Sequence, residues 1–192
     1  MTTNLIDINE FEQEKNYSLT IDNKLIKQVL KPYFKHSTYL KSAEIKSVNA
    51  DSLVTARGSF SIENSCYIDD TGHFNAVEFN ICFNQLAYVV VAKCLESGIF
   101  AELNPKWAQG CPETLEGFFE DQLAALMIIK LESKFLKPLN SDSFEAIFTV
   151  NKLTVKNGRL FMHSSIEFFD QLGVAAKGIV LCCYVSDIKG EV

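Results

Sequence analysis

The sequence lacks an uninterrupted apolar stretch long enough to cross a membrane. Its longest apolar region, Phe79 to Val91, is broken by Asn80, Asn84 and Gln85, whereas a spanning helix needs about 20 consecutive apolar residues. The first ten residues carry acids and no basic stretch followed by an apolar one, so they do not match a secretory signal. We therefore expect a cytoplasmic protein with no membrane span.

The chain contains fewer basic residues than acidic ones. The chain has 18 Lys and Arg residues against 24 Asp and Glu residues, which gives a net charge of −6. A negative net charge argues against a protein that coats phosphate backbones. We therefore expect no nucleic-acid partner.

Several sequence motifs that mark cofactor or metal chemistry are missing. There is no Gly-x-Ser-x-Gly elbow, no glycine-rich phosphate or dinucleotide loop and no His-Glu-x-x-His zinc motif. The six cysteines form no Cys-x-x-Cys pair and have no histidine at zinc-finger spacing. We expect reduced core cysteines, no metal and no cofactor.

Aromatic residues are abundant instead. The 192 residues include 15 Phe, 6 Tyr and 1 Trp, more than a minimal core requires, which suggests a site for an apolar ligand. Because residues 1–20 are polar and unpatterned, we expect a flexible N-terminal arm over 1–20 and a single domain over 21–192.

Hydrophobic periodicity predicts the order of the elements. A helix at 22–31, ended by Pro32, precedes a hairpin of two strands at 39–48 and 52–62. An irregular connection at 99–121, with a short helix near 114–121, could form a lid. Four further strands are predicted at 125–135, 144–155, 159–169 and 174–185.

One long helix lies between the two groups of strands. Asn75 and Glu78 match a capping box, apolar residues continue to Leu95, and Gly98 ends the pattern. The helix is apolar nearly all round, which is typical of burial on most faces. We therefore predict an α+β hot-dog fold, in which a curved antiparallel sheet of six strands wraps around one central helix. The open sheet edge favours a homodimer or a dimer of dimers.

The start of this helix is the first candidate site. Free amides at a helix N-terminus attract an oxyanion such as a polarised thioester oxygen, which draws attention to the segment from Tyr67 to Glu78. Glu78 is also the one carboxylate placed to aim a water molecule. The alternative is that Asn75 and Glu78 only cap the helix.

Further polar residues lie near this start. Asn80 and Asn84, one turn apart, suggest a polar patch in an apolar cavity, or else hydrogen bonds to the sheet or a dimer partner. His73 could act as a general base or bind a carboxylate, although a lone loop histidine often does neither. Tyr33 could donate its hydroxyl into the site or be a buried tyrosine with a wet end.

Three segments closely resemble the FcoT-like family. They are Tyr67 to Tyr88, which contains Gly-His-Phe-Asn-Ala-Val-Glu, the pair Pro32-Tyr33, and Lys134 to Asn140. The resemblance implies a hot-dog fold and a pocket formed by the positions of Tyr33, Tyr67, Asn75 and Asn84, with His73 beside it.

The resemblance also implies an enzyme that acts on thioesters. Members of the family were first described as long-chain acyl-CoA thioesterases, whereas relatives in isonitrile lipopeptide and β-amino acid pathways add glycine to a (2E)-enoyl group on an acyl carrier protein. We favour glycine addition, which gives an N-carboxymethyl-3-aminoacyl thioester. Acyl-CoA hydrolysis and a non-catalytic acyl-binding module remain alternatives.

Glycine addition assigns hypothetical roles to the candidate residues. Helix-start amides, helped by Asn84 or a tyrosine, would hold the developing enolate oxygen. His73, Lys134 or Lys137 would bind the glycine carboxylate, and Glu78 and Asn80 would contact substrate. Because a carrier protein or CoA is acidic, we also expect a local basic patch from Lys134, Lys137 and Arg159.

Overall fold

The computed structural model describes residues 18–49, 53–69, 74–103 and 114–185. Four α-helices lie in these ranges, α1 (Asn23–Val29), α2 (Ala76–Glu96), α3 (Ile99–Leu103) and α4 (Leu115–Ala125), and a short 3₁₀ helix spans Lys35–Ser37. The strands are β1 (Leu19–Ile21), β2 (Leu40–Asn49), β3 (Leu53–Phe60), β4 (Leu126–Phe135), β5 (Phe144–Lys156), β6 (Arg159–Asp170) and β7 (Gly173–Tyr184).

The described strands form one sheet in the order β1-β2-β3-β5-β6-β7-β4. Every neighbouring pair is antiparallel, and α2 packs on one face, so the predicted hot-dog fold is confirmed. The prediction of six strands is wrong by one. Leu19 and Thr20, which we assigned to the arm, belong to β1 and pair with Ile45 and Glu44; three residues are too few to show alternation.

The central helix α2 begins with the predicted capping box. Asn75 Oδ1 accepts hydrogen bonds from the amides of Val77 (2.9 Å) and Glu78 (3.5 Å), and Glu78 Oε2 accepts one from the Asn75 amide (3.0 Å). Most of its 21 residues are buried, as the sequence predicts. The chain leaves the helix through Gly98, whose φ of +69° favours glycine.

A cluster of phenylalanines joins the first turns of α2 to the sheet. Phe74 and Phe79 pack against Phe135 of β4 and Phe168 of β6 at ring-centroid distances of 4.9 to 6.4 Å. Gly178 makes this contact possible, because a Cβ there would lie 2.6 Å from Phe79 Cζ and 2.7 Å from the Glu132 carbonyl oxygen. Much of the aromatic surplus is therefore core.

Two tight turns connect the last three strands, and the helix predicted near 114–121 is longer than expected. Asn157 and Gly158, with φ of 52° and 70°, form the tight turn between β5 and β6, and Gly173 follows the turn between β6 and β7. Thr114 caps α4 by accepting from the Gly117 amide, and this helix runs four residues past the predicted end. Within the described ranges no helix has the length and apolar character of a membrane span.

Candidate functional site

Three polar side chains follow one side of α2. Asn80, Asn84 and Tyr88 are four residues apart, so they lie above one another on the helix surface. Asn80 Oδ1 is buried without a hydrogen-bond partner, and the Asn84 amide bonds to no other described residue. A buried amide without partners costs about 1–3 kcal/mol, so this stripe is suited to receive a bound molecule.

Gln85, next to Asn84, has a different role. Its Oε1 accepts hydrogen bonds from the amides of Tyr39 and Leu40, each at 2.9 Å, and its Nε2 donates to the Ser37 carbonyl at 2.6 Å. The side chain is fully buried. Gln85 therefore fastens residues 37–40 to α2 and belongs to the structure rather than to the site.

Tyr88 of the stripe and the neighbouring Tyr33 contribute two protonated hydroxyl groups. Burial raises the pKa of Tyr33 well above its usual value, and the proximity of Tyr88 and Cys82 adds to this effect. Burial also raises the pKa of Tyr88 to about 12, with a smaller contribution from Cys182. Both groups are hydrogen-bond donors at neutral pH, and neither hydroxyl bonds to another described residue. The Tyr88 ring itself is part of the buried core, four residues after Asn84 on the same side of α2.

The start of α2 borders a cleft of about 390 Å³. Phe74, Asn75 and Ala76 line one side, and residues 135–138 line the other. Because Asn75 already caps the Val77 and Glu78 amides, the Ala76 amide is the one first-turn N–H left without a partner in the described chain. The cap therefore occupies most of the first-turn amides, as the capping alternative expects. A thioester oxyanion would have to bind to the side chains of the stripe instead.

Glu78 is engaged in the cap. Its side chain is only 4% exposed, and one carboxylate oxygen accepts from the Asn75 amide. Burial raises the pKa of the nearby Cys82 thiol well above its usual value, and the Glu78 charge adds to this effect. A carboxylate held in this way is poorly placed to aim a water molecule at a substrate.

The two candidate lysines lie in different places. Lys137 borders the helix-start cleft and forms an ion pair with Asp170, with 2.8 Å between Nζ and Oδ1; this bond lowers the pKa of Asp170. Lys134 precedes Phe135, which packs on Phe74, so strand alternation directs it to the outer face of the sheet. The structure thus separates Lys134 from the other candidates.

The remaining candidates lie in the segment before α2. Tyr67 is 50% exposed and follows Cys66, whose amide donates to the Tyr39 hydroxyl at 3.0 Å. His73 lies outside the described residues. The structure therefore brings Asn80, Asn84, Tyr33 and Tyr88 to one region, with Asn75 and Lys137 around the cleft at the start of the helix.

Comparison with known proteins identifies a matching family and similar sequences. The sequence matches the family model described as "FcoT-like thioesterase domain" over residues 28–183. It is 38% identical over 150 residues to a (2E)-enoyl-[ACP] glycyltransferase of Streptomyces coeruleorubidus, covering 77% of this chain and 86% of that protein. It is 36% identical over 183 residues to a protein of the same name from Mycobacterium marinum, covering 93% and 95%.

A solved structure supports the fold alone. The dehydratase domain of RzxB from Pseudomonas fluorescens superposes with a TM-score of 0.54 at 12% identity, covering 90% of this chain and 53% of that one. The match to the family model over residues 28–183 and the two relatives at 38% and 36% identity show that the chain belongs to the FcoT-like thioesterase family.

Proposed function

We propose that this protein adds glycine to a (2E)-enoyl thioester carried on an acyl carrier protein. The Asn80–Asn84–Tyr88 stripe carries the proposal, because the Asn84 amide nitrogen and the protonated Tyr88 hydroxyl are donors for a thioester oxygen. The buried Asn80 Oδ1, which has no partner among the described residues, is an acceptor for a substrate donor such as the glycine nitrogen. The printed names of the relatives at 36% and 38% identity support the same reaction. Hydrolysis is less well supported, since Glu78, the carboxylate that could aim water, is tied into the helix cap.

The reaction needs polarisation of the carbonyl and no activated water. The unprotonated glycine nitrogen attacks the β-carbon of the enoyl group, a C–N bond forms, and the electron pair of the double bond moves to the α-carbon and thioester oxygen. The Asn84 amide and the Tyr33 or Tyr88 hydroxyl donate to that oxygen as negative charge develops. The α-carbon then takes up one proton, the nitrogen loses one, and the thioester bond stays intact.

The helix-start cleft is the proposed place for the glycine carboxylate. Lys137 and the Ala76 amide, which has no partner among the described residues, border it, and His73 directly precedes Phe74 of the cleft in the sequence. A lysine ammonium has three donors, so Lys137 can bind Asp170 and a second carboxylate together. Asn75 and Glu78 fix the helix start beside this cleft, and a contact between Tyr67 and the substrate stays a prediction.

Product mass tests the function directly. Purified protein is incubated with glycine and an enoyl-loaded carrier protein, and the carrier is analysed by intact mass spectrometry. We expect a gain of one glycine on a carrier that remains acylated. Free acid with no added glycine would favour the thioesterase alternative, and saturable binding without turnover would favour an acyl-binding module.

A homodimer is part of the proposal. The outer edge of β4 has no partner among the described strands, and Met127 and Ile129 near that edge are large exposed apolar side chains. Unpaired apolar edges are commonly covered by a second copy. The cytoplasmic location and a place in isonitrile lipopeptide biosynthesis stay predictions.

A further inference from the structure

The segment that begins with α1 presents a basic surface on an acidic protein. Residues 23–43 contain five lysines and no acid, although the chain as a whole has a net charge of −6. We define the basic surface as the exposed side chains Lys24, Lys27, Lys31, Lys35, His36 and Lys41. None of the six forms an ion pair with a described residue.

The fold gathers these charges on one side. In α1, Leu25, Ile26 and Val29 face the core, so Lys24 and Lys27 project outward, and Lys31 continues their line at helical spacing. Lys35, His36 and Lys41 line a cleft of about 460 Å³ that also includes one acid, Glu63. The surface is therefore continuous from α1 to the start of β2.

An exposed aromatic ring lies in the middle of the basic surface. Phe34 is 75% exposed and stacks on the His36 imidazole at 5.7 Å with an interplanar angle of 6°. Aromatic anchors surrounded by charge are typical of protein interfaces. A lysine-rich surface that only contacts solvent does not require an exposed aromatic ring, so Phe34 favours an interface over a purely solvated surface.

The basic surface is joined to the candidate site through Tyr33. This residue lies between Lys31 and Lys35, and its side chain packs on the core close to Tyr88. Gln85 holds the following residues, Ser37 to Leu40, against α2. A partner seated on the surface would thus stand directly beside the stripe.

We propose that the basic surface docks the acidic acyl carrier protein, with Phe34 as its apolar anchor and Tyr33 at the entry of the thioester arm. This inference rests on the proposed function, which names the carrier protein as the donor. The patch expected from the sequence is less suitable. Lys137 pairs with Asp170 and borders the cleft assigned to the glycine carboxylate, and Lys134 shares an outer-face groove with Glu132 and Glu167.

Charge reversal on this surface tests the proposal. In the triple variant Lys24→Glu, Lys31→Glu, Lys35→Glu we expect kcat/KM for an enoyl carrier protein to fall roughly tenfold or more at low salt, because steering depends on complementary charge. Turnover of the enoyl N-acetylcysteamine thioester, which has no carrier, should be unchanged. Phe34→Ala should also weaken carrier turnover alone.

A matched control carries the same charge change elsewhere. Lys152, Lys156 and Lys177 are exposed and lie on β5 and β7, and their triple change to Glu should leave both substrates unaffected. Circular dichroism and thermal melting confirm that all variants fold. Carrier binding is measured in parallel by titration of the loaded carrier.

The possible outcomes test the docking surface and the proposed glycine addition independently. If the wild type forms the glycine adduct but the first triple keeps carrier turnover and binding, the docking surface is wrong and the function stands. If the wild type adds glycine neither to the enoyl carrier protein nor to the N-acetylcysteamine thioester, the proposed function is wrong. Titration with the loaded carrier then still tests the docking surface, because equal dissociation constants for the two triple variants would overturn it. Equal losses with enoyl-CoA and enoyl carrier protein would assign the lysines to CoA phosphates and overturn carrier docking.

Discussion

Two neighbouring amides of α2 have the same chemical group and opposite environments. Gln85 satisfies three backbone groups, whereas Asn84 bonds to no described residue. We expect Gln85→Leu to lower the free energy of unfolding by about 3 kcal/mol or more, because it leaves buried donors and an acceptor unpaired. Asn84→Leu should change stability by less than about 1 kcal/mol and lower kcat/KM by about 100-fold.

Urea denaturation and steady-state kinetics of the two variants check this contrast. Each substitution places the same side chain in the same helix, one position apart, so each variant controls for the other. A loss of stability in Asn84→Leu equal to that in Gln85→Leu would show that Asn84 is structural.

At the residue scale, sequence patterns predict which side of a helix a residue occupies, but they do not identify its hydrogen-bond partners. The spacing of Asn80 and Asn84 correctly places both on one side of α2. The partners of Gln85 lie at residues 37–40, more than 40 positions away along the chain, and periodicity carries no information about such contacts. For the same reason the proximity of Tyr33 to Tyr88 could not be predicted.

The contact between α2 and the sheet depends on two strand glycines. A Cβ at Gly178 meets both Phe79 and the Glu132 backbone, whereas a Cβ at Gly58 meets only the side-chain ends of Leu40 and Leu86, at 3.0 Å. Side-chain ends can move and a paired strand backbone cannot. We therefore expect Gly178→Ala to cost about 3 kcal/mol of stability and Gly58→Ala about 1 kcal/mol, as measured by chemical denaturation.

The pair also provides its own control, since both substitutions add one methyl group to a sheet residue. Equal losses for the two would mean that the spacing of helix and sheet adjusts more easily than the geometry implies. The Gly178→Ala variant should in addition show a weaker near-ultraviolet signal from the phenylalanine cluster.

Most elements could be predicted from local signals. The turn at Asn157-Gly158, the cap at Asn75 and the alternation of Phe144, Ala146 and Phe148 each have a short-range physical cause. The strand β1 was missed because Leu19–Ile21 gains its stability from pairing with β2. The need for glycine at 178 arises from Phe79, about 100 positions earlier in the chain, and no local pattern shows it.

Assembly of the whole molecule is expected to depend on the edge of β4. Changing Met127 and Ile129 to Lys places charge among the exposed apolar side chains of that strand, and edge lysines oppose strand pairing. We expect the double variant to sediment as a monomer in analytical ultracentrifugation. It should also lose activity if the site is completed by the second copy.

Leu172→Lys is the matched control, because Leu172 is an exposed apolar residue in the β6–β7 turn. It should leave the oligomeric state of the protein unchanged. A double variant that still sediments as a dimer would assign the dimer contact to another surface.

The strand order also has a consequence for synthesis. Phe135 of β4 pairs with Ala176, and Leu126 pairs with Tyr184. Each residue of β4 therefore leaves the ribosome more than 40 residues before its partner in β7, the one neighbour of β4 among the described strands. During this interval its apolar side chains have no strand to pair with and are open to chaperones or to other nascent chains. The slowest stage of folding is therefore expected to be the arrival of β7, which closes the sheet around a helix made long before it.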